Sequence, residues 1–356
     1  MTPTHDPRRW SLRRIWSAPL PLVRLLCAGL AILFSTGCGA LLPRELAPAP
    51  EARRPTIRTF PEFVAVVVEP GDSLSSLASK YLGDPSLDWI IADFNGITSA
   101  TPGLELVIPL KPYDLGGLRP DGFQTVPVLC YHQFSETETD RMTVTRSAFE
   151  KQMRFLKDEG YKVIGLDQLL DFIEFKGELP KKAVVITIDD GWRSTYDIAY
   201  PILKQYGYPA TLFVYTDLIM GGAKTLDWNL VRELSLNGID IQCHTKTHTD
   251  LTRKATQQSM RDYIEGVKRE LTESAVAIQN KAGKKVTYLA YPYGETNSLV
   301  VAVTKKLGYR AAFTVERGGN PFFVDAYRIQ RSMIYGDFTL HDFKKNLKLF
   351  TSQSLR

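Results

Sequence analysis

From residue 126 onward, short unbroken apolar runs alternate with amphipathic helical stretches, and this alternation limits the fold more than any other feature. Strand-like runs fall at 126–131, 162–165, 183–188, 210–215, 239–244, 286–291, 311–315 and 327–334. Helical spacing occupies stretches between them, among others 147–159, 167–175, 194–206 and 257–279. Strands buried on both faces read as continuous Val, Ile and Leu, and parallel strands need crossover helices. The pattern therefore predicts an α/β fold with a mainly parallel sheet, and this many repeats predict a closed or nearly closed (β/α) barrel. In such folds ligands gather where strands end and loops begin, so polar residues at those ends are the first candidates for chemistry.

Three such ends stand out. The run AVVITIDDGW drives an apolar strand into Asp189-Asp190-Gly191. Adjacent carboxylates repel each other and cannot pack in a core; a helix-capping turn would use one of them, whereas a cation site with a proton-handling neighbour would use both. IDIQCHTKTH ends a second strand with His244 and His248, and PVLCYH ends another with His132. A lone histidine is more often a packed or surface residue. Two histidines four apart, with a carboxylate strand elsewhere, instead suggest a divalent metal bound by two imidazoles and a carboxylate, leaving positions open for water and substrate. Thr245 follows His244 where a zincin protease would carry Glu.

TIDDG (187–191), HTKTH (244–248) and YPYG (291–294) resemble the first three motifs of the NodB-homology polysaccharide deacetylases, carbohydrate esterase family four, over about residues 126–340. The resemblance implies that Asp189 is the general base and that Asp190, His244 and His248 hold the metal, with zinc the first choice and cobalt, nickel or iron also suited to such a donor set. It implies, too, that the backbone N–H of Tyr293 helps to stabilise the oxyanion. The family's late Leu-x-His acid has no counterpart, since RIQRSMIYG contains no histidine. His132 on the opening strand matches the circularly permuted branch, which includes poly-β-1,6-N-acetylglucosamine deacetylases, and is assigned as the acid. Ala290 stands where the third motif normally has Arg, leaving Arg328 or Arg331 to orient the base; the fourth motif is missing. The implied reaction is metal-dependent removal of N-acetyl groups from an N-acetylglucosamine-containing envelope polysaccharide, either exopolysaccharide or peptidoglycan. A polysaccharide O-acetyl ester, or glycan binding without catalysis, is the alternative. Trp192, Tyr291 and Tyr293 serve equally as sugar-stacking or packing residues.

Upstream, residues 63–110 read as a βααβ unit, with helical spacing at Leu74, Leu77, Ala78 and Tyr81. EPGDSLSSLASKYLGD, DFNGI and PGLELVIP resemble a LysM module, which implies binding of peptidoglycan or a similar glycan. Residues 111–125 read as a linker and 38–62 as a Pro-rich tether. Residues 1–37 read as a signal peptide: a basic stretch ending at Arg24, the apolar run 25–34, then Ser-Thr-Gly-Cys. Ten apolar residues span only about 15 Å as a helix, half of a bilayer core. The Cys38 ending resembles a lipoprotein lipobox and predicts a lipidated, exported protein anchored in the cell envelope, at the outer membrane or in the periplasm if the cell is Gram-negative. This leader carries four of the five net positive charges, so the body lacks the basic excess of a nucleic-acid binder. Cys130 and Cys243, each inside an apolar run, are expected as buried free thiols.

Overall fold

The computed structural model describes residues 57–138 and 140–353; the leader, most of the tether and Cys38 lie outside the described residues. The first element group is a three-stranded antiparallel sheet, β1 (Ile57–Thr59), β2 (Phe63–Val67) and β3 (Glu105–Pro109), with β2 in the middle. Helices α1 (Leu74–Leu82) and α2 (Asp88–Asn95) lie between β2 and β3 in sequence. The alternating residues Val64, Val66, Leu106 and Ile108 meet Leu77, Ala78 and Ile91 in a core of their own. Ser73 and Ser76 form a reciprocal capping box at the start of α1. The Asn95 side chain bonds both backbone groups of Val107, tying the end of α2 to β3.

The segment 111–125, read as a linker, is part of the folded body. Strands β4 (Leu118–Arg119) and β5 (Gly122–Gln124) form an antiparallel sheet with the late strand Phe350–Ser352. Sequence missed it because the strands are two or three residues long, too short to give a periodic signal.

The large sheet runs in the order Ala311–Phe313, Tyr288–Ala290, Ile239–Cys243, Ala210–Val214, Ala183–Asp190, Val126–Tyr131, all parallel. With two short strands at Gln133–Ser135 (β7) and Thr143–Thr145 (β8), and β9 at Lys162–Val163, chain order makes these six β14, β13, β12, β11, β10 and β6. The sheet curls until its edges approach each other. The expected strand at 327–334 bridges the gap in two short steps: Ile329 pairs with Phe313 of β14, then Ser332–Met333 pairs with β6. Between the steps, the Gln330 N–H turns aside to the Asn320 side chain, so neither pairing extends. The barrel is a curled β/α sheet with a narrow seam.

Side chains along each strand alternate between the helices outside and the barrel interior. Ile186 and Ile188 of β10 pack outward with Leu212, Val214 and Leu289, while Val185, Phe213, Tyr288 and Ala290 pack together on the other side. The same period puts Thr187 and Asp189 on the side of Val185, so a carboxylate enters the barrel interior. The small domain meets the barrel at the opposite end from these carboxylates. Its Asp88 pairs with Lys162 at the start of β9, at 3.0 Å, and its Asp93 accepts from the Lys181 N–H just before β10, at 3.1 Å. The eight residues of β10 separate that face from Asp190 by about 25 Å.

Candidate active site

Five non-glycine residues have left-handed backbone among those described: Phe175, Asp190, Thr245, His248 and Tyr293. Four of them ring one site at the C-terminal ends of β10, β12 and β13, where strained backbone re-aims side chains that a regular strand would point elsewhere. Gly191, at φ +116°, follows Asp190; a Cβ there would meet the Ile219 side chain at 2.5 Å, which explains the glycine in the motif.

Asp190, His244 and His248 converge: the Asp190 Oδ1 lies 3.7 Å from His244 Nε2 and 3.6 Å from His248 Nε2. His244 is buried, and its Nδ1 lies 2.7 Å from the Ala290 carbonyl. That contact requires an Nδ1–H donor, which leaves the Nε2 lone pair facing the other two residues. The Trp192 indole N–H holds the second Asp190 oxygen at 2.8 Å, leaving Oδ1 to the histidines. Burial lowers the His248 pKa to about 4, with His244 contributing, against the pull of Asp190 and Asp189. A neutral imidazole results, the form that ligates a metal. The loop between the histidines is fixed by Glu270, which accepts the N–H groups of Lys246 and Thr247 and the Thr247 hydroxyl. The three donor atoms lie within 4.8 Å of one another and fit a divalent ion of borderline softness.

Asp189 is fully enclosed. Arg331 donates to both of its oxygens, at 2.7 and 2.8 Å, and also to the Thr314 carbonyl and the Thr187 hydroxyl. Arg331 therefore orients the Asp189 carboxylate, while Arg328 is exposed on the preceding turn. Burial pushes the Asp189 carboxyl up, but Arg331, then His244 and His132, more than reverse this and hold it well below the usual carboxylate range. Cys130 adds a third contact, its Sγ 3.5 Å from Asp189 Oδ2; burial raises its pKa, so the group is a thiol that donates. Cys130 and Cys243 are indeed both free and buried.

His132 follows β6, between β10 and the seam, and one of its ring nitrogens lies within 4.8 Å of an Asp189 oxygen and of the Cys130 sulfur. Burial lowers its pKa, and the Asp189 and Asp190 carboxylates oppose that shift. Cys130, His132 and Asp189 make a second convergent group, but the Arg331 guanidinium already occupies both Asp189 oxygens, so a cation there would meet a fixed positive charge. Tyr293 stands at the rim, 62% exposed, its ring 4.7 Å from that of His248. Tyr291 is buried and its hydroxyl donates to the Tyr327 carbonyl, which makes it a packing residue. The tie from Trp192 to Asp190 had no sequence signal beyond proximity.

Breaking the buried Arg331–Asp189 pair leaves an uncompensated charge. Arg331→Ala is expected to cost about 3–5 kcal/mol of stability. A urea melt within 1 kcal/mol of wild type would contradict the pairing.

Residues 176–312 match the family described as polysaccharide deacetylase. YxkH of Bacillus subtilis (strain 168), assigned as a polysaccharide deacetylase, is 31% identical over 193 residues, which cover 54% of this chain and 65% of YxkH. The poly-β-1,6-N-acetyl-D-glucosamine N-deacetylase of Staphylococcus aureus (strain MRSA252) is 28% identical over 220 residues, covering 60% of this chain and 76% of that protein. Among solved structures, the Streptococcus pyogenes deacetylase PplD, in complex with acetate, superimposes with a TM-score of 0.56 at 25% identity, covering 63% of this chain and 98% of that one. The domain that carries this site is thus similar to polysaccharide deacetylases of the NodB type, the poly-β-1,6-N-acetylglucosamine N-deacetylases among them.

Proposed function

We propose that the chain removes N-acetyl groups from an N-acetylglucosamine-containing envelope polysaccharide, using a divalent ion held by Asp190, His244 and His248. The observation that carries this reading is the division of labour between two adjacent carboxylates. Asp190 faces two imidazoles, and Asp189 faces a buried guanidinium. The ion, for which zinc is the first choice and cobalt, nickel or iron alternatives, would polarise the amide carbonyl and acidify the attacking water. Asp189, kept ionised by Arg331, takes that water's proton. The Tyr293 N–H donates to the oxygen as it gains charge, and His132 gives a proton to the departing nitrogen. An amide needs that last step because an amine anion leaves poorly. The balance is one acetate and one free amine per bond cut. Acetate release from poly-β-1,6-N-acetylglucosamine and from peptidoglycan, measured side by side, tests the substrate. The relatives favour the first, and release from neither would overturn the reading.

Residues 63–110 are proposed as a LysM glycan-binding module, supported by the motifs and by their βααβ order. Cys38 is proposed as a lipid anchor that keeps an exported protein in the envelope. Deleting 57–110 is expected to abolish retention on chitin or peptidoglycan while acetate release from soluble oligomers continues. Cys38→Ser is expected to move the protein from the membrane to the soluble fraction. Unchanged retention or unchanged partitioning contradicts the respective proposal.

A further inference from the structure

A cleft of about 730 Å³ opens beside the metal-site residues, beginning at Gln133, next to His132, and at Trp192, two residues past Asp190. That volume falls in the range of small-molecule sites and exceeds what one sugar ring needs. One wall is the ribbon of β7 and β8, tied to the floor by the Phe134 N–H donating to Ser194 at 3.0 Å. The other wall is the loop before α6 (Trp228–Leu236), which contains Ala223 and Lys224. Two backbone hydrogen bonds, which together pair Trp192 with Thr225, fasten that loop along the floor: Leu226 N–H to Gly191 O and Arg193 N–H to Lys224 O. The walls are thus preformed. The lining is mainly polar and charged, with Gln133, Glu138, Arg193, Asp197 and Lys224 around the aromatic Trp192, groups that can bond sugar hydroxyls beside one stacking face.

Trp192 belongs to both places. The residue lines the cleft, and its indole N–H donates to the second oxygen of Asp190. We propose that the cleft seats the hexosamine adjoining the one that loses its acetyl group, and that Trp192 is the specificity-determining wall through which that neighbour is felt at Asp190. The proposal rests on the deacetylase reading above. A neighbour packed on the indole restrains the ring, and the ring restrains the carboxylate. Binding energy from a remote sugar then appears in kcat as well as in KM.

The test compares N-acetylglucosamine with its β-1,6-linked tetramer in three metal-loaded proteins. Wild type should favour the tetramer, with a higher kcat. Ala223→Trp, at an exposed loop position, fills the cleft without touching the metal residues. It should cut tetramer kcat/KM by at least about tenfold and leave the monomer unchanged. Trp192→Phe keeps a ring and deletes the donor, so kcat should fall about 10–100-fold on both substrates with little change in tetramer KM. An unchanged tetramer-to-monomer ratio in Ala223→Trp overturns the cleft assignment. A Trp192→Phe defect confined to KM overturns the coupling. Calorimetric binding of the tetramer separates this from the parent reading. Binding that Ala223→Trp abolishes, in a protein that releases no acetate, would keep the cleft and reject the deacetylase. Acetate release with no effect of Ala223→Trp on binding would do the reverse.

Discussion

His244→Ala is expected to lose both its metal and its activity. His244 is the most constrained of the three donors: buried, held by the Ala290 carbonyl, and within 4 Å of both carboxylates. Two remaining donors make a poor site, since catalytic centres of this kind use three protein ligands. The ion's share of charge stabilisation is several kcal/mol, so turnover should fall by roughly 10³-fold or more. Chelation should have the same effect on the wild type, and zinc or cobalt should restore the wild type but not the variant. Metal content and acetate release, measured on one preparation, read both effects. Full turnover by metal-free wild type would dismiss the assignment of Asp190, His244 and His248.

His132→Ala should behave differently. The three proposed ligands are untouched, so metal content should stay at the wild-type level. Loss of a positioned proton donor should lower kcat by about 10²–10⁴. Activated acetate esters leave without protonation and should suffer far less. Equal losses on amide and activated ester would mean that His132 positions the substrate instead. A variant that deacetylates normally would return the acid's role to another group.

The parts of this site that were legible in sequence are those carried by one strand end at a time. TIDDG ends a largely apolar strand and HTKTH follows the alternating strand IDIQC, so their placement at strand ends followed from the parallel fold alone. His132 was harder, because its approach to Asp189 depends on β6 lying beside β10 rather than on any motif. Arg331 lay beyond sequence resolution. It sits in a segment that pairs with one barrel edge at Ile329 and the other at Ser332, and a shift of one residue would reverse which side chain enters the interior. Arg328 and Arg331 differ by three positions, and only the bend at Gln330 decides between them. Strands β4 and β5 were missed for a related reason: pairing with the chain's last described strand is a long-range contact that no local pattern announces.

The proposed reaction is metal-assisted hydrolysis of an N-acetyl amide, with Asp189 as base and His132 as acid. Its most direct test is the stoichiometry of acetate and new primary amine from β-1,6-linked N-acetylglucosamine oligomers, before metal removal, after it, and after zinc is restored. Equal amounts of both products are expected, disappearing on metal removal and returning with zinc. Acetate without a matching amine would show an esterase, and equal products from metal-free protein would contradict the mechanism.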